Sequence, residues 1–166
     1  MRLTTGLVLL LFLTLAAAPS TCAGQPPFDL NYNLIDQPLR QLGSDDQAAV
    51  QQAIELIQRG DYAASLIRLS ALSDKNPGNS SLHILAAYAK LLVGNALGAF
   101  NEAQTAERAK DGNHYKCWFL AKIALLTGHN SECERELKHI EKFDDMKGEV
   151  KSMRAELKTK QETGAR

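Results

Sequence analysis

Three glycines, Gly60, Gly94 and Gly128, recur 34 residues apart and constrain this chain more than any other feature of it. Each stands in a polar break between two stretches whose apolar residues recur at helical spacing, in pieces of about a dozen residues. The breaks are Gly60-Asp61, Asn76-Pro77-Gly78-Asn79, Gly94-Asn95, Asp111-Gly112-Asn113 and Gly128-His129-Asn130. They combine a glycine that can close one helix in the left-handed conformation with an Asp or Asn that can cap the next through its side chain. No segment alternates like a strand. The period predicts an all-α chain of three helix-turn-helix units, 46–79, 80–113 and 114–147, within a repeat region at 44–147.

Aligned on that period, Ala53, Ala87 and Ala121 fall in one column, and Ser65, Ala99 and Cys133 fall in the matching column on the second helices. Small residues in every copy are what two antiparallel helices need where their axes approach most closely. Leu69, Ala103 and Leu137, then Leu72, Ala106 and Ile140, form columns expected to face the next unit. In the first copy, RGDYAASLIRLSALSDKNPGN carries Gly60, Asp61, Tyr62, Leu69, Leu72 and Pro77, and over residues 46–147 the chain resembles the tetratricopeptide repeat family. It departs from that pattern at Ala49, His83 and Cys117, where a large residue is usual, at Gln52, and in the closing proline missing from copies two and three. The resemblance implies a right-handed α-solenoid of three repeats. A C-terminal helix over 148–160, with the apolar stripe Val150, Met153 and Leu157, would cap its end, ahead of a frayed tail at 161–166.

The flanking segments speak to location. Residues 1–23 read as an export signal, with Arg2 ahead of the apolar run Leu7 to Ala18, which is too short to span a bilayer, and a cut after Ala23. The protein is therefore expected to be exported, periplasmic or secreted. Lipoprotein anchoring through Cys22 is the weaker reading, since the residues before it lack the usual leucine. Residues 24–43 carry three prolines and form an extended lead-in, with one turn expected around Asp36 to Leu42; its Phe28, Leu30, Tyr32, Leu34 and Ile35 call for cover. Of 19 basic and 19 acidic residues, cleavage removes only Arg2, so 18 minus 19 leaves a charge of −1. That balance argues against nucleic acid as a partner. The six basic residues between Lys147 and Arg166 alternate with Glu149, Glu156 and Glu162 as on a solvated helix face.

The family resemblance also implies where a partner would bind. Its concave face, lined by the first helix of each pair, maps here onto Val50, Ile54, Ile57 and Gln58, then Ile84, Tyr88 and Leu91, then Tyr115, Trp118, Lys122 and Leu125. Tyr88 and Trp118 are the candidate anchors. LHILAAYAKLLVG and YKCWFLAKIALLTG are apolar nearly all round, which calls for burial on every side. The face has three candidate fillers: the chain's own lead-in, a second copy, or a foreign segment. The expected function is a non-catalytic protein-binding adaptor or assembly factor of the cell envelope, taking a protein or peptide partner. The alternative is a self-associating structural protein, a homo-oligomer whose face is filled by its own lead-in. No phosphate loop, His-Glu-x-x-His motif or nucleophile elbow points to an enzyme, and no cofactor is implied. His114 with Cys117 and His129 with Cys133 form a lesser candidate for zinc. Cys117 and Cys133 are also a candidate disulfide, although the helix register places Ala121, one turn from Cys117, opposite Cys133.

Overall fold

The computed structural model describes residues 27–164, so the export signal predicted over residues 1–23 lies outside the described residues. All regular structure among them is helical. After a 3-10 turn at Tyr32–Leu34 come α1 (Asp36–Leu39), α2 (Ser44–Gln58), α3 (Tyr62–Lys75), α4 (Ser80–Leu92), α5 (Ala96–Arg108), α6 (Tyr115–Thr127) and α7 (Asn130–Ile140). A second 3-10 turn, Asp144–Met146, leads into α8 (Lys147–Gly164). None of these helices is long and apolar enough to cross a membrane.

The boundaries follow from local chemistry. Gly60, Gly94 and Gly128 have φ of 82°, 80° and 81°, a left-handed conformation that costs an L residue its Cβ clearance. Asp61, Asn79 and Asn95 each accept a hydrogen bond from the backbone N–H three residues on, satisfying a donor that the first helical turn leaves free. From α2 to α7 each helix packs against the next in sequence, and α4 also touches α2 and α6.

The small columns are buried between the helices. Ala53, Ala87, Ala121, Ser65, Ala99 and Cys133 are all fully buried, and Ser65 Oγ donates to the Ala53 carbonyl at 3.0 Å across α2 and α3. Leu69, Leu72, Ala103, Ala106, Leu137 and Ile140 complete the buried seams.

The C-terminal helix is longer than the sequence implies and keeps the period. Val150, Met153 and Leu157 are buried, Lys122 of α6 pairs with Glu156 at 2.9 Å, and Lys160 donates to the Leu125 carbonyl at 3.0 Å. Helix α8 thus runs beside α6 one period further on. Its Ala155, in the column of Ala53, Ala87 and Ala121, is exposed, since no second helix among the described residues covers it.

Candidate functional site

Helices α4 and α6 form the bed of the chain's own lead-in, which is extended only as far as Asn31 before its 3-10 turn and α1. The Phe28 ring sits among Tyr88, Trp118 and Phe119 with centroid separations of 5.3, 6.0 and 6.0 Å, in the tilted and edge-on geometries that aromatic quadrupoles favour. The Tyr88 hydroxyl donates to the Phe28 carbonyl at 2.8 Å. Leu30, Ile35, Pro38, Leu39 and Leu42 continue the buried edge, and Asn79 Nδ2 donates to the Pro38 carbonyl at 2.7 Å. Burial pushes the Tyr88 hydroxyl up to about 12 and raises that of Tyr115 also, so both are neutral donors at physiological pH.

The residues that the family resemblance assigns to the concave face do not all share one environment. Ile84 and Leu125 are fully buried; Val50, Ile57, Tyr88, Tyr115 and Trp118 are buried, and Ile54 and Leu91 half-buried. Gln58 is exposed, and Lys122 is engaged by Glu156 of α8. Tyr88, Tyr115 and Trp118 meet around the lead-in, with the Tyr115 and Trp118 rings stacked at 4.7 Å. Val50 and Ile54 instead line an open cavity of about 610 Å³ between the lead-in and α2, together with Tyr32, Asp36, Leu39 and Gln51. Phe119, a third wall of the aromatic bed, lies outside the mapped face; the only sequence signal for it is that α6 is apolar all round.

The zinc set is not assembled. His114 lies tilted against Phe143 at 4.0 Å and His129 stacks on Phe100 at 3.8 Å, so the two rings have separate aromatic partners. The ligand-type group that forms around Cys117 contains Glu107 and Glu136 and neither histidine. Cys117 and Cys133 are both buried free thiols. Cys117 faces Glu136, three residues beyond Cys133 on α7, whereas Cys133 senses Lys122, Glu156 and Lys160 on the α8 side. The one-turn offset in register therefore separates the candidate disulfide. Burial pushes the thiols up to about 12 and about 11 respectively, with nearby carboxylates adding to the rise.

One polar cluster escaped the sequence reading. His83, buried on α4, faces Glu102 Oε1 of α5 at 2.6 Å through Nδ1 and the Pro77 carbonyl at 3.2 Å through Nε2. Two acceptors on two ring nitrogens are satisfied together only by the doubly protonated imidazole. Its hydrogen bond to Glu102 raises the His83 pKa against the opposing effect of burial. Lys90 closes an ion pair on the other Glu102 oxygen. Burial works against the Glu102 carboxylate, but its bonds to His83 and Lys90 outweigh that and hold its pKa below the ordinary value. The same two columns, one period on, hold Cys117 and Glu136; there Arg135 takes the carboxylate at 2.7 Å.

Compared with protein-family models the chain matches none, and no curated protein matches it either.

Proposed function

We propose that the chain is a non-catalytic protein-interaction module, a right-handed stack of three tetratricopeptide-like helix pairs closed by α8, whose inner face takes an extended segment. On the export reading of residues 1–23, it acts as an adaptor or assembly factor of the cell envelope. The observation that carries the proposal is the seating of Phe28: an extended stretch of chain lies across α4 and α6, its aromatic side chain in a three-ring bed and its carbonyl on the Tyr88 hydroxyl. Aromatic anchors of this kind dominate the energetics of peptide and protein interfaces. Beside the seated segment the face stays open, in the cavity floored by Val50 and Ile54.

A photo-reactive residue at Gln51, exposed and lining that cavity, tests the reading against one at Ser70, exposed on α3. The expected result in the native cell is a discrete adduct with another envelope protein from position 51 and none from position 70. Adducts confined to this chain, or the same set from both positions, would falsify the assignment of this face.

A further inference from the structure

Resting on the interaction-module reading, we propose that residues 28–35 are an exchangeable strap over the aromatic bed, and that the displacing partner is an uncharged extended peptide of Phe-x-Leu type offering main-chain carbonyls to Tyr115 and Trp118.

The strap already displays what the bed reads. Phe28 is inserted, Asp29 is exposed and Leu30 is buried, the alternation of an extended chain lying on a surface. Yet it uses only part of the bed's hydrogen-bonding capacity. The Tyr115 hydroxyl and Trp118 Nε1 have no hydrogen-bond partner among the described residues, although the two side chains are only 6% and 9% exposed. The Asn31 amide lies beside the Tyr115 hydroxyl without satisfying it. Buried donors left unpaired carry a desolvation penalty that a ligand supplying an acceptor removes. The strap of a second copy has the same sequence and leaves the same donors unpaired, so a different segment fits the bed better. A carboxylate is far more costly to desolvate than a neutral carbonyl in a bed walled by Tyr88, Trp118 and Phe119, which favours the carbonyl as that acceptor. Tethering holds the strap at an effective concentration of roughly millimolar, so only a well-matched partner displaces it.

The test uses the full chain, a fluorescein-labelled peptide copying residues 26–36, and a set of synthetic uncharged twelve-residue Phe-x-Leu peptides. Phe28→Ala is expected to bind the labelled peptide at least about tenfold more tightly than the unaltered chain, because the competing strap is weakened. Members of the set are expected to bind about tenfold more tightly still, and to lose that gain in Phe28→Ala/Tyr115→Phe. Three results overturn the proposal: a helical Phe28→Ala chain that binds no peptide, a set no better than the strap peptide or indifferent to Tyr115→Phe, or a concentration-dependent dimer of the unaltered chain that Phe28→Ala abolishes. Should Phe28→Ala not fold, hydrogen exchange on the unaltered chain decides. Saturating peptide from the set should speed exchange at the Leu34 and Ile35 amides, which bond to Asn31 and Tyr32, and unchanged exchange overturns the strap. A heterologous adduct from position 51 with negative peptide results removes the strap and leaves the module reading standing; loss of both removes both.

Discussion

Removing the Phe28 side chain should release the lead-in while leaving the helices in place. A fully buried Phe→Ala costs about 3–5 kcal/mol. Phe28 is half-buried, so about half of that, ~2 kcal/mol, is expected, a roughly 30-fold shift between docked and undocked lead-in. The chain reports this itself, because Trp118 is its only tryptophan and lies edge-on to Phe28 at 6.0 Å. In Phe28→Ala the tryptophan emission should move to longer wavelength under native conditions, with the far-ultraviolet helical signal nearly unchanged and the thermal midpoint lowered by about 4–8 °C. Emission and midpoint both identical to those of the unaltered chain would refute the argument, since Trp118 would then owe its burial to the helices alone.

Other expectations concern the helices. The His83 pKa is raised in the folded state, so its contribution to stability is complete below the ordinary histidine value of 6.5 and is lost as pH rises through the elevated one; an NMR titration of His83 and denaturation at several pH values should agree, and Glu102→Gln should erase both effects. Gly128→Ala should destabilise by about 1–2 kcal/mol in urea denaturation through backbone strain alone, since an added Cβ meets nothing there, whereas Gly148→Ala, within α8 and without positive φ, should not destabilise. Intact mass should show Cys117 and Cys133 as two free thiols that iodoacetamide labels only after denaturation, because burial keeps both protonated.

The helical layout was legible because it rests on local signals. Gly60, Gly94 and Gly128 mark three of the turns, Asp61, Asn79 and Asn95 act as caps, and the small columns meet at Ser65 and Ala53, all as spacing implies. The lead-in was legible as apolar residues in need of cover and as one of three candidate fillers of the face, but spacing could not choose among the three. Its place over Tyr88 and Trp118 depends on contacts far apart in sequence, for which no periodicity exists. The His83–Glu102 pair was missed for a related reason. His83 registered as a departure from its column, and Glu102 drew no reading at all; only packing α4 on α5 makes them partners. The zinc reading failed on direction, since spacing along the chain could not reveal that His114 and His129 turn to Phe143 and Phe100.

Helices that pack mainly on their neighbours in sequence can open from either end with little cost to the rest. The lead-in alters that. Asn79 holds the Pro38 carbonyl, Tyr88 holds that of Phe28, and the Phe28 ring reaches Trp118 on α6. Early and late parts of the chain are thereby joined by contacts of long sequence separation, which form slowly and last in folding. With the lead-in seated, fraying of α6 also disrupts a contact made near the other end, so the chain is expected to melt more cooperatively than with the lead-in released.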